Sequence, residues 1–130
     1  MAEHPHAALL RSAHEAFSRG DTEALKRIID PEIVWEIPGR SLVSGRHRGY
    51  EELFAYFGKL QSLTGDTFKV SLNDTLVSDR HVVLLEAIKA TREGKTLDVE
   101  LVLIAQIRDG RITHVRDRFS DQYAWDEFWA

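Results

Sequence analysis

Two carboxylates, Glu86 and Asp117, stand where the pattern calls for apolar side chains, and carboxyl groups so placed can donate and accept protons. Each lies in a run that alternates with the period of a β-strand, so every second residue shares a face. One face of 81–91 carries Val82, Leu84, Glu86, Ile88 and Ala90, and one face of 113–119 carries Val115, Asp117 and Phe119. Both sets are otherwise the apolar face that turns to a core. Burying an unpaired carboxylate costs several kcal/mol, so each group must be partnered, protonated or close to water. Two carboxyls in one apolar pocket push their pKa values apart, which leaves one acid and one base near neutral pH. A purely structural role is equally open, with Trp35, Tyr56 or a backbone N–H donating to either group.

Other side chains offer walls and donors for such a pocket. Trp35 shares a face with Ile33 and Ile37 and supplies a flat apolar surface with one N–H donor. Phe119, Val115, Leu103 and Ile88 belong to the inward sets and are expected to contact a ligand. Tyr56, on the aromatic side of a helix, could bond a ligand oxygen or simply pack. His47, between Gly45 and Gly49, is expected near a pocket mouth, where an imidazole could give up a proton near neutral pH.

The elements that must position these residues follow from periodicity. Pro5 to Arg19 reads as a helix with Leu9, Leu10, Ala13 and Phe17 on one stripe, stopped by Gly20. Asp21 is suited to cap a short second helix carrying Leu25, Ile28 and Ile29, which Asp30-Pro31 ends. Glu32 to Ile37 alternates as a strand; Pro38-Gly39 breaks it, and a polar loop runs to Gly49. Tyr50 to Leu63 reads as a third helix. Four strands follow, separated at Ser78-Asp79, Glu93-Gly94 and Asp109-Gly110, the last two as tight hairpins. The order predicts an α+β fold in which helices close the concave face of a curved, mostly antiparallel sheet around a hollow. In 97–107, Val99, Leu101, Leu103, Ala105 and Ile107 face in, while the outer set has an apolar centre at Val102 and Ile104. That outer patch predicts a homodimer through the sheet.

Composition narrows the function classes. At 130 residues with 43% hydrophobic and 29% charged, the chain suits one domain spanning 1–130. A net charge of −4 argues against a nucleic-acid partner. The absence of cysteine excludes disulfides, thiolate metal sites and thiol nucleophiles. The six histidines are scattered, and only His4 and His6 lie close, so no metal site is expected. Phosphate-loop and nucleophile-elbow patterns are missing, and no cofactor is expected. The start of the chain lacks the basic and apolar regions of a signal peptide, and no apolar run is long enough to span a membrane; the expected compartment is the cytoplasm.

Several of these landmarks in order make the chain similar to the nuclear-transport-factor-2-like (NTF2-like) superfamily, in its SnoaL-like and ketosteroid-isomerase-like branch. They are Arg19-Gly20-Asp21 after the first helix, Asp30-Pro31 with Val34-Trp35 and Pro38-Gly39, then Gly45 and Gly49, and the hairpin at Asp109-Gly110-Arg111-Ile112. The resemblance covers nearly the whole chain. It implies a cone-shaped α+β barrel of cystatin-like form, three helices on a curved sheet, commonly dimeric, with a deep pocket. Ketosteroid isomerases use a first-strand aspartate base, a first-helix tyrosine and a protonated aspartate. Alignment by the turns places Trp35, Ala13 and Leu103 at those positions, so that chemistry is not expected. The arginine and aspartate of limonene-epoxide hydrolases fall at Ala87 and Lys89, which excludes theirs. SnoaL-like polyketide cyclases use a pocket aspartate as acid and base, a role that falls to Asp117, with Glu86 as partner or second proton carrier. The resemblance therefore implies a cofactor-free isomerase, cyclase or lyase acting on a small apolar carbonyl or polyketide-like compound. The alternatives are a non-catalytic ligand-binding or dimer-scaffold domain, and an interaction domain using the Val102–Ile104 patch.

Overall fold

Helix α1 (Pro5–Arg19) begins with Pro5 in its first turn and ends at Gly20, whose φ of 67° lets its N–H reach back to the last turn. The computed structural model describes residues 3–130. Asp21 caps α2 (Thr22–Ile28) by accepting from the Ala24 N–H at 3.0 Å. Ile29, expected at the end of that helix, instead opens strand β1 (Ile29–Ile37). Pro31 has no N–H to donate and holds the residue before it extended, so the helix must stop earlier.

The expected polar loop contains a short edge strand, β2 (Gly45–Arg48), paired antiparallel with β1. Its residues are mostly exposed and carry no apolar alternation, so periodicity has nothing to register there. Helix α3 (Gly49–Leu63) and strands β3 (Lys69–Val77), β4 (His81–Arg92), β5 (Lys95–Arg108) and β6 (Arg111–Phe119) follow. At the two tight hairpins Glu93 and Gly94 have φ of 49° and 78°, and Asp109 and Gly110 have 51° and 75°. Such paired positive φ values match the right-handed twist of the strands they join.

The six strands form one curved sheet in the order β2-β1-β6-β5-β4-β3. Among the described residues only β1 and β6 run parallel; every other neighbouring pair is antiparallel. The register sets Leu101 opposite both Glu86 and Phe119, and Leu103 opposite both Leu84 and Asp117. Helix α1 packs on β3 and β4, and α2 and α3 on β1. Among the described residues no helix is long and apolar enough to cross a membrane.

A fourth helix, α4 (Gln122–Phe128), adds to the three expected and packs on β5 and β6. Asp121 caps it by accepting from the Ala124 N–H at 3.0 Å. At its other end Arg92 and Lys95 donate to carbonyls of Glu127, Phe128 and Ala130. Cations placed there also oppose the negative end of the helix dipole. The loop after β1 is tied to α4, since Gln122 donates to the Pro38 carbonyl and Asp126 accepts from the Arg40 N–H. Gly39 sits in this clasp with φ of 104°, and a Cβ there would meet Asp126 Oδ1 at 2.2 Å. Gly39→Ala is therefore expected to cost about 1–3 kcal/mol, read as a lowered thermal midpoint.

Candidate active site

Helices α1, α3 and α4 close over the concave face and leave a cavity of about 80 Å³. That is room for several waters. Its walls are almost wholly apolar. Leu10, Ala13 and Phe17 come from α1, Phe57 and Leu60 from α3, and Trp125 from α4. Phe57 stands edge-on to both Phe17 and Trp35, with centroids 5.0 and 5.3 Å apart. Such edge-to-face contacts hold flat walls in place.

Of the residues singled out in the sequence, Glu86, Asp117, Trp35, Tyr56, Phe119, Val115, Leu103 and Ile88 all border this cavity. His47 does not. Its ring stacks on Tyr56 at 4.6 Å from outside the lining, with Nε2 3.4 Å from the Val43 carbonyl. The expectation of a ligand contact at His47 is corrected on this ground: pairing of β2 with β1 fixes the residue behind Tyr56, outside the lining.

Asp117 is 3% exposed. One carboxyl oxygen accepts from the Trp35 indole N–H at 3.3 Å, and the other is buried without a partner among the described residues. Burial pushes its pKa up to about 8; the nearby Glu86 adds to the rise, while the Trp35 bond works against it. At neutral pH Asp117 is thus a neutral acid. Because Oδ2 accepts from Trp35, the proton belongs on Oδ1, the oxygen with nothing to bond. An unsatisfied buried polar group costs about 1–3 kcal/mol, which a ligand oxygen accepting from Oδ1 would recover. The Tyr56 hydroxyl is held well above its ordinary pKa by burial and then by Asp117, so it too stays neutral and able to donate.

Glu86 is 4% exposed on its side chain and lies 3.2 Å from Nδ1 of His14, which is 16% exposed. His14 is the polar residue that sequence reasoning missed. The signal was present: His14 is four residues after Leu10 and three before Phe17, and so shares their stripe. A histidine within an apolar helical stripe marks the same anomaly as a carboxylate within an apolar strand face. Among the described residues no lysine or arginine borders the cavity. Arg118, next to Asp117 in sequence, turns its guanidinium back to the Asp117 main-chain carbonyl at 2.8 Å.

An apolar chamber between helices and a curved sheet, with a few polar groups converging inside, defines an NTF2-like fold. The chain belongs to the SnoaL-like domain family, which it matches over residues 10–115. It is similar to an uncharacterised protein of Mycobacterium tuberculosis, 31% identical over 123 residues that make up 94% of each chain. Among solved structures it resembles Bal32a, from a soil-derived mobile gene cassette, at 39% identity and a TM-score of 0.94 over 97% of both chains. It also resembles a protein of unknown function with a cystatin-like fold from Xanthomonas campestris. There the identity is 31% and the TM-score 0.88, over 95% of this chain and 96% of the other.

Proposed function

We propose that the protein is a cofactor-independent acid–base enzyme that moves protons on a small, largely apolar carbonyl compound of polyketide-like character. One observation carries the reading: a buried Asp117, one oxygen without a partner among the described residues, faces an apolar cavity that it shares with a second carboxyl group, and burial raises its pKa to about 8. Asp117 donates to the substrate oxygen as negative charge develops there. Trp35 holds the carboxyl in place, Tyr56 is a second donor, and Phe119 and Phe57 are apolar walls for the carbon skeleton. Removal of water from such a site strengthens these interactions relative to solution.

The experiment that tests it is deuterium incorporation. The protein is incubated in heavy water with a panel of small enolisable ketones, followed by proton NMR. Protein-dependent exchange at the carbon next to the carbonyl is the expected result. Ketones that bind without exchange at any pH would instead favour the second reading, a ligand-binding module. That reading draws on the same cavity, whose volume and apolar walls suit binding without any chemistry.

The enzyme is further proposed to work as a homodimer through the outer face of the sheet. Leu76, Val83, Leu85, Val102 and Ile104 form one apolar area across β3, β4 and β5, with Leu76 51% exposed. Val102 and Ile104 lie opposite Arg118 and Arg116 of β6, which rim the area with charge. A second copy related by a two-fold axis would cover the face with the same apolar area. Ile104→Glu is expected to convert a dimer to a monomer in light scattering while leaving the fold intact; an unchanged mass would remove the proposed interface.

A further inference from the structure

We infer that His14, its ring held by Glu86, is the general base of this cavity, so that the substrate proton leaves toward α1 while Asp117 serves the oxygen that gains charge. The inference rests on the acid–base reading above and adds to it the identity of the base.

His14 Nδ1 lies 3.2 Å from Glu86 Oε2. A carboxylate in that place accepts the Nδ1–H and so selects the tautomer whose lone pair is on Nε2. Nε2 has no hydrogen-bond partner among the described residues, and the ring borders the cavity between Leu10 and Phe17. A carboxylate that orients an imidazole also stabilises the imidazolium formed when the ring takes a proton. The acid stands on a different wall. Glu86 on β4 and Asp117 on β6 are separated by β5 and offset by two residues, as their pairing with Leu101 and Leu103 shows. Strand spacing and rise then put their Cα atoms about 12 Å apart, with the cavity between the inward side chains. A base and a neutral donor are thereby set to act on two different atoms of one bound molecule.

In the step so assigned, the C–H bond next to a carbonyl breaks and its proton passes to His14 Nε2. The electron pair moves into the adjacent carbon–carbon bond and onto the carbonyl oxygen, which accepts from Asp117 Oδ1. On a simple ketone, return of the proton from Nε2 to the same carbon restores the base and gives exchange. Where the substrate carries a β,γ carbon–carbon double bond, the proton's return to the γ-carbon moves that double bond into conjugation and completes an isomerisation, with no net oxidation or reduction. Glu86 is a positioning residue in this scheme, and His14 touches the reacting atom.

A probe that needs no knowledge of the natural substrate is 5-nitrobenzisoxazole. Removal of its C3 proton breaks the N–O bond and releases a coloured nitrophenolate, whose oxygen stands where the carbonyl oxygen would. The wild-type protein is expected to accelerate this elimination. His14→Ala should lower kcat by about 100-fold or more, the usual worth of a general base, with little change in KM. Added imidazole should restore part of the rate to His14→Ala and none to Asp117→Asn, a result that a merely structural histidine would not produce. Glu86→Gln should fall between wild type and His14→Ala. A His14→Ala variant at the wild-type rate, beside an inactive Asp117→Asn, would make Asp117 the base and overturn the inference while the acid–base function stands. Absence of any acceleration by the wild type overturns it too, and deuterium exchange on the ketone panel then decides the proposed function separately. Should His14→Ala fail to fold, judged by near-ultraviolet circular dichroism, His14→Gln fills the site without a base and carries the same rate comparison.

Discussion

Asp117→Asn is expected to lower turnover of an enolisable substrate by about 100- to 10,000-fold, the range of a lost general acid, and at the same time to make the protein more stable in alkali. Asparagine keeps the shape of the carboxyl and can still accept from Trp35 through Oδ1, so the cavity retains its form. What it loses is a proton that can be transferred. The stability effect has a definite sign. The folded protein holds the Asp117 proton up to about pH 8, whereas the unfolded chain releases it near the ordinary value of 3.8. Folding therefore binds a proton between these limits. The stability that this proton supplies is complete below about pH 4 and is lost as pH rises toward 8, at up to about 1.4 kcal/mol per pH unit. Above pH 8 the wild type must keep a buried charge, and the variant need not. Urea denaturation of both proteins at pH 5, 7 and 9 checks this: the wild-type curve should decline where that of the variant stays flatter. Equal slopes would show that Asp117 is already ionised in the folded protein, and the neutral donor would be lost with it.

Trp125→Ala is expected to destabilise the fold by about 3–5 kcal/mol, as for other large aromatic side chains removed from a core. Trp125 is 1% exposed, stacks on Phe119 at 3.9 Å and forms part of the cavity wall. Its loss would join the space it leaves to the existing cavity, and the thermal midpoint should drop by about 10–20 °C. Trp125→Phe is the control. The indole N–H of Trp125 is buried without a partner among the described residues, so phenylalanine removes an unsatisfied donor while keeping a ring against Phe119. Its cost should stay below about 1.5 kcal/mol. A fall as large as that of alanine would mean that the indole N–H matters, contrary to its unbonded state.

The parts of the fold legible in the sequence are those that repeat a local rule. The alternation in 81–91, 97–107 and 113–119 placed Glu86 and Asp117 on the inner faces, and burial follows that alternation through 81–91, 97–107 and 115–118. The hairpins were legible because Glu93-Gly94 and Asp109-Gly110 tolerate the backbone that a two-residue turn demands. Strand β2 was not, since an exposed edge strand of glycine, arginine and histidine carries no periodic signal. Helix α4 shows in the sequence only as an aromatic run, Tyr123, Trp125, Phe128 and Trp129. At seven residues it is too short to show a helical period, and it draws on contacts with Arg92 and Lys95 from a distant hairpin. His47 was misplaced for a related reason: a strand pairing, invisible locally, turned a supposed loop residue toward the back of Tyr56.

The sequence by itself determined the strand faces, most of the helix limits and the presence of two inward carboxyls, because each of these is set by neighbours within a few residues. Only the tertiary structure decided what those carboxyls are. Asp117 meets Trp35 across 82 residues of chain, and Glu86 meets His14 across 72. Whether a buried carboxyl keeps its proton depends on the atoms around it in space. Strand order and the curvature of the sheet bring those atoms together.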